Sequence, residues 1–180
     1  MNGNRGPFDN LLGSHRRLEE RIADLSGAAE ALGDPNRREA AVAMVQDVLN
    51  YFNRAVPRHE EDEELSLFPR LTGEPELAAT IKALSEEHKG HGKLHADLKA
   101  AVQGLASSPT AATRLAAIAE QLRVAYSRHI RKEEQELFPA ARRVIDTNAQ
   151  AAMAKEMDLR RGGSGRRPGM GGGGGGGRGG

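Results

Sequence analysis

The chain lacks cysteine and tryptophan altogether, and only 3% of its 180 residues are aromatic. Without cysteine there is no disulfide, iron–sulfur cluster or thiolate metal site, so any metal ion must be held by imidazole and carboxylate groups. That set of ligands suits iron, manganese or zinc. Long hydrophobic runs are also missing, and no stretch approaches the roughly 20 apolar residues of a membrane span.

The N-terminal residues MNGNRGPFDN lack the basic and then apolar pattern of an export signal, and we therefore expect a cytoplasmic protein without membrane contact. The net charge of +1 conceals an uneven distribution. Five arginines and no acidic residues lie beyond position 159, whereas the 21 basic and 25 acidic residues before it give that part a charge of −4. This acidic body predicts that nucleic acid is not a partner.

Apolar side chains recur with the period of a helix, and the alternation typical of strands is absent from the sequence. We predict an all-α fold, an up-down-up-down four-helix bundle in residues 1–150. Pro57 should kink the second helix just before His59, because proline removes a backbone donor. Glycine- or proline-containing turns at 33–35, 72–75 and 107–109 separate the helices, which we place at about 8–32, 36–71, 76–105 and 110–145.

The C-terminal sequence is rich in glycine and arginine and ends in GGGGGGGRGG. Such a segment has almost no apolar side chains that could offset the entropy lost on ordering. We therefore assign residues 151–180 to a disordered tail without a functional role. The alternative, a weak contact of the arginine–glycine segment with RNA, is less favoured.

One pattern occurs twice, seventy residues apart: HEEDEELSLFP at residues 59–69 and HIRKEEQELFP at 129–139. Both copies read His-x3-Glu-Glu-x2-Leu-Phe-Pro. Residues four apart lie one above the other on a helix, about 6 Å along its axis, so the histidine and the first glutamate of each copy can reach one metal ion.

The repeat extends upstream, because the segment that begins at His15 aligns with the segment that begins at His88, and both end in Ala-Asp-Leu. Each half of the chain therefore supplies one histidine on its first helix and His-x3-Glu on its second. In a four-helix bundle these side chains meet at one level in the core. The arrangement suggests two metal ions with two carboxylates free to bridge them, and the candidate ligands are His15, His59, Glu63, His88, His129 and Glu133.

A single His-x3-Glu pair is more often an ordinary surface pair, and only the repetition favours a metal site. His91 is a candidate for an additional ligand, and the sequence leaves its role open. His95 and Tyr126 are candidates for hydrogen bonding or lining the cavity around the ligands. Glu60 should point away from His59 into solvent.

These motifs resemble the hemerythrin-like (HHE cation-binding) domain family over roughly residues 8–147. The resemblance implies a four-helix bundle with an oxo- or hydroxo-bridged di-iron centre, in which the six candidate residues are ligands and Glu63 and Glu133 bridge. It also implies binding of dioxygen or a response to oxygen, iron, peroxide or nitric oxide. The oxygen-carrying invertebrate members have His-x3-His and His-x4-Asp where this chain differs, so the bacterial type with glutamate bridges is the better match.

Three functional hypotheses remain open from the sequence. The first is a non-haem di-iron protein that binds a small ligand for sensing, storage or stress response. The second is a di-iron enzyme with catalase-like or oxidase activity. The third is a metal-free helical interaction module, whose thermal stability would not respond to chelators.

Overall fold

The structure is a computed structural model that describes residues 6–105 and 110–162, and within these ranges it contains helices and turns but no strand. Short 3-10 turns at Phe68–Leu71 and Pro75–Leu77 lead from the second helix into the third. The predicted all-α bundle is confirmed. The α-helices are α1 (Pro7–Ala31), α2 (Arg38–Asp62), α3 (Ala78–Gln103), α4 (Ala111–Lys132), α5 (Phe138–Val144) and α6 (Thr147–Arg160).

The first helix illustrates how the sequence specifies the bundle. Pro7 occupies the first helical position, where its missing N–H costs nothing and its fixed φ favours the helix. The Gly6 N–H donates to the Asp9 carboxylate at 3.3 Å, which places negative charge at the helix N-terminus. The apolar stripe of α1 is buried against α2 and α4, while α3 packs against α4 and α2. These contacts close the four-helix bundle.

Two apolar layers fill the bundle, and a polar band separates them along each of the four long helices α1 to α4. On α1 the upper layer begins at Leu18 and the lower layer ends at Leu11, with His15 between them. On the second helix the upper layer reaches Val56 and the lower layer resumes at Leu67. The candidate ligands therefore lie in a band that is enclosed by hydrophobic side chains above and below.

The predicted interruption at Pro57 is not where helix geometry changes, because α2 continues as an α-helix through Pro57 to Asp62. The change comes instead in two π-helical turns, Glu63–Leu67 and Glu133–Leu137. In each turn the phenylalanine N–H bonds to the glutamate carbonyl five residues earlier. The proline that follows cannot donate a backbone hydrogen bond, which favours this departure from α geometry, and such turns are frequent at functional sites.

The expected boundary at residue 150 was wrong, because α6 runs across it and packs on α1 and α2. Met153 and Met157 are fully buried in the lower apolar layer. Near the end of the helix, Arg160 and Arg161 both donate to the buried carboxylate of Asp62. Residues 151–160 are therefore part of the bundle, while the expected disorder of 163–180 and the expected turn at 107–109 lie outside the described residues.

Candidate metal centre

The structure brings the six predicted ligands together in the polar band. His15, His59, His88 and His129 come one each from α1 to α4, and none is more than 8% exposed. The two glutamates are completely buried. Each opens one of the π turns, directly after the helix that carries the histidine four residues earlier.

The six side chains form two groups of four that share both glutamates. The first contains His15 and His59 with the two glutamates, and the second contains His88 and His129 with the same two. Within each group the potential ligand atoms lie within 4.8 Å of one another. Either group could hold a metal ion, and a carboxylate that belongs to both could lie between the two ions.

Distances within the groups connect the two halves of the chain. Glu63 lies 3.3 Å from Nε2 of His59 in its own half and 3.3 Å from Nε2 of His88 in the other half. Glu133 lies 3.3 Å from Nε2 of His129 and 3.0 Å from Nε2 of His15. Each glutamate therefore faces one histidine from each half, which gives the site an approximate twofold symmetry.

Several buried polar atoms at the centre have no hydrogen-bond partner within the described residues. Burying a polar atom without a partner costs free energy, and a cluster of such atoms requires an explanation. The set consists only of imidazole nitrogens and carboxylate oxygens, which are good ligands for iron, manganese or zinc. The atoms are His15 Nε2, His59 Nδ1 and Nε2, and both carboxylate oxygens of Glu63 and Glu133.

Titration at the centre reflects two carboxylates and four imidazoles buried together. Burial first, and then the charge of Glu133, raise the pKa of Glu63 well above its usual value. Burial would also raise the pKa of Glu133, but the adjacent imidazoles of His129 and His15 outweigh it and lower that pKa. Burial and the neighbouring His15 lower the pKa of His59 well below its usual value, so this imidazole is neutral and has a free lone pair.

Carboxylates outside the cluster hold the outer nitrogens of three of the histidines. The Nδ1 atom of His15 lies 2.8 Å from Glu134, and that of His88 lies 2.9 Å from Glu64. Nδ1 of His129 lies 2.9 Å from Glu87. Such an acceptor fixes the tautomer and the ring orientation of an imidazole and raises its basicity toward a metal.

The sequence analysis did not identify these three acceptors, because among the glutamates it considered only Glu63 and Glu133 as parts of the site. The signal was present, since Glu64 and Glu134 are the second glutamates of the two His-x3-Glu-Glu motifs. Their partners lie on the first helix of the opposite half, so the pairing becomes visible only once the helices are packed. Glu60 was also misjudged, because it accepts a hydrogen bond from Nδ1 of His91 at 3.2 Å.

The repeated Leu-Phe-Pro segments pack on the candidate ligands. The ring of Phe138 stacks on His15 with a centroid distance of 5.5 Å, and the ring of Phe68 stacks on His88 at 6.1 Å. Both contacts again cross between the two halves of the chain. The phenylalanines thus cover two imidazoles with apolar surface and limit their movement.

The remaining candidates lie beside the cluster. His91 is buried but belongs to neither group of four, and its ring contacts those of His129 and Tyr126. The Tyr126 hydroxyl and Nε2 of His95 form a hydrogen bond of 2.7 Å. Burial lowers the pKa of His95 to about 4 and raises that of Tyr126 well above its usual value, so both groups are neutral near pH 7.

The fold and the site define a class: a helical bundle with a buried histidine and glutamate cluster that is suited to cations. The model of the hemerythrin HHE cation-binding domain matches residues 6–141, and the chain therefore belongs to this family. A protein of Haemophilus influenzae described only as uncharacterized is 30% identical over 156 residues, which cover 86% of this chain and 90% of the relative. None of the described helices is both long and apolar enough to cross a membrane.

Proposed function

We propose that this protein is a non-haem di-iron protein that binds dioxygen, or a related ligand such as peroxide or nitric oxide. Its role would be oxygen or iron sensing, storage or the response to oxidative stress, and we propose the cytoplasm as its location. The observation that carries the proposal is the pair of four-residue groups that share two fully buried glutamates. Membership in a family of cation-binding domains supports it.

Each proposed ligand has a defined part in this arrangement. His15 and His59 would hold one iron, His88 and His129 the other, and Glu63 and Glu133 would lie between the two. Two imidazoles and two shared carboxylates give each ion four ligand atoms from the protein, which leaves coordination positions for a small molecule. When bound, the iron pair would supply the redox chemistry and the affinity for the small ligand.

The surrounding residues would prepare the site for that chemistry. Glu64, Glu87 and Glu134 fix three imidazole rings through their Nδ1 atoms. The stacked phenylalanines and the two apolar layers exclude bulk water, which strengthens the interactions between charged groups inside the site. A surface pocket of about 340 Å³ between α3 and α4 reaches His91, and it offers a small molecule an approach to the centre.

Metal analysis of the purified protein, combined with its ultraviolet–visible spectrum before and after dithionite, tests the proposal. We expect about two irons per chain and near-ultraviolet charge-transfer bands that bleach on reduction, as suits iron held by imidazole and carboxylate. A colourless protein that takes up no iron even after anaerobic ferrous loading would overturn the di-iron assignment. It would favour another metal or a metal-free helical module.

The pair formed by Tyr126 and His95 favours the enzymatic alternative as a second candidate. Their 2.7 Å hydrogen bond lies beside His91, and both rings are substantially buried, so the pair could move a proton near the centre. In this case the protein would consume many molecules of peroxide for each iron that it contains. If the amount of peroxide consumed does not exceed the amount of bound iron, catalysis is contradicted and the binding function remains.

A further inference from the structure

One candidate ligand differs from its three counterparts at its outer nitrogen. His59 is 6% exposed, and its Nδ1 has no hydrogen-bond partner within the described residues. In the repeat, the position that would supply a carboxylate is occupied by Ser14, where the other half has Glu87. His59 is therefore the one imidazole of the four whose outer nitrogen no described carboxylate satisfies.

The unpartnered side chain lies at a small surface pocket of about 130 Å³, which we call the arginine pocket. At roughly 30 Å³ per water molecule, it has room for about four waters, a size that suits a small oxyanion. All of its polar lining groups can donate a hydrogen bond. They are Ser14, Arg17, Tyr51, Arg58, His59 and Arg161.

The positive charge of the pocket is only partly neutralised by the protein. Arg161 is paired with Asp62 and lies 3.9 Å from Asp158. Arg17 donates to the Ser14 hydroxyl at 3.1 Å, but neither Arg17 nor Arg58 forms an ion pair with any residue that the structure describes. Two uncompensated guanidinium groups beside a buried imidazole donor make an electrostatic environment that favours an anion.

The orientation of the His59 imidazole indicates which of its two nitrogens can donate a hydrogen bond to an anion. Nε2 of His59 lies 3.3 Å from Glu63 and belongs to the cluster that could hold a metal ion. A metal ligand must offer its lone pair, so the proton of the neutral ring is on Nδ1, which is then a donor in need of an acceptor. At the equivalent nitrogens of the other three histidines that acceptor is a glutamate.

We propose that the arginine pocket is a binding site for a phosphate group, which accepts hydrogen bonds from Arg17, Arg58 and the Nδ1–H of His59. The bound anion takes the place of the glutamate that this half of the chain lacks. Donors converge from two helices and from the residue after α6, and they match a tetrahedral oxyanion with several acceptor oxygens better than a planar carboxylate. An acceptor at Nδ1 makes His59 a stronger metal ligand, so the site would couple anion binding to the centre.

Calorimetric titration of the purified full chain with inorganic phosphate tests this inference, whichever metal the centre holds. We expect saturable binding of one phosphate per chain, with a dissociation constant of about 1 mM or tighter. Arg58→Gln and Arg17→Gln should each weaken it by about tenfold or more, because each removes a charge-assisted hydrogen bond. Arg16→Gln, which removes the same charge one residue away from the pocket, should change it by less than about twofold.

Several results would overturn the proposal. If the heat released on addition of phosphate does not saturate, water alone satisfies Nδ1 of His59 and the proposal fails. Equal weakening by Arg16→Gln and Arg17→Gln would reduce the effect to general surface charge. Acetate should bind about tenfold more weakly than phosphate, and equal binding would refute the assignment of a phosphate.

Tyrosine fluorescence locates the bound anion, because the chain has no tryptophan and only two tyrosines. Tyr51 lines the arginine pocket, whereas Tyr126 is buried beside His91 and His95. Phosphate should change the emission with the same saturation curve as the heat, and Tyr51→Phe should abolish the change. Binding that leaves the emission of Tyr51 unaltered would place the anion elsewhere and refute the site.

Discussion

Glu134 lies 2.8 Å from Nδ1 of His15, although the two residues come from opposite halves of the repeated sequence. Glu64 makes the equivalent contact with His88 at 2.9 Å in the reverse direction. The proposed metal centre therefore includes carboxylates that are not among its proposed ligands, and these carboxylates tie the first hairpin to the second.

We expect Glu134→Gln to weaken the binding of metal about tenfold or more, because an amide is a poorer acceptor than a carboxylate for the His15 Nδ1–H. Competition with a chelator measures the effect. The exposed Glu136, two residues further along the same turn, provides the control. Equal metal loss in Glu136→Gln would show that the effect of Glu134 is only a change in net charge.

Removal of a proposed ligand should reduce the iron content directly. We expect His129→Ala to lower bound iron from about two per chain to one or none, because it removes one of the imidazoles assigned to one of the two ions. His95→Ala deletes an imidazole that belongs to neither group of four, and it should retain the iron of the parent protein. Parent-like iron in His129→Ala would refute the assignment of this ligand.

The last helix should contribute to stability. Met157 is completely buried, and Met157→Ala should lower the free energy of unfolding by about 2–5 kcal/mol, since it leaves a cavity in the lower apolar layer. Leu159→Ala, at a position with 67% exposure on the same helix, should cost less than about 0.5 kcal/mol. Denaturant unfolding compares the two, and similar values would mean that α6 does not pack stably on the bundle.

Because His95 is substantially buried, we expect the stability of the protein to decrease as the pH falls. The pKa of His95 is about 4 in the folded protein because of burial, against a usual 6.5, so the unfolded chain binds the proton more strongly. The neutral His95 side chain therefore makes its full contribution to the free energy of unfolding above pH 6.5. This contribution is lost as the pH falls toward 4, and the loss amounts to up to about 3 kcal/mol. In denaturant unfolding, His95→Gln should lose less stability than the parent protein as the pH falls over this window. The same dependence of stability on pH in both proteins would contradict the prediction.

Much of the centre could be predicted from the sequence because helical spacing is a local property. His59 and Glu63 share a helix face through their separation alone, and so do His129 and Glu133. The pairing of Glu134 with His15 could not be predicted in this way, since it depends on how α1 packs against the second half of the bundle. Local patterns thus identified the proposed ligands but not the groups that orient them.

The helix α6 was missed for a different reason. Only Met153 and Met157 give it a fully buried apolar face, and the sequence beyond them turns quickly to glycine and arginine. Such a short apolar pattern is weak evidence for a packed helix. Its position is also held by polar contacts that no periodicity reveals, such as the ion pair of Glu156 with Arg70 at 2.7 Å and the hydrogen bond of Ser66 with Glu156 at 2.6 Å.

The approximate twofold symmetry has a consequence for the origin of the fold. A single helical hairpin would carry two histidines and one glutamate, and it would lack the opposite glutamate and the outer acceptor for its first histidine. Two identical hairpins that associate about a twofold axis would supply all of these groups to each other. The internal repeat is therefore the pattern expected if an ancestral homodimer became one chain by gene duplication, and the exchange of Glu87 for Ser14 is a mark of later divergence between the copies.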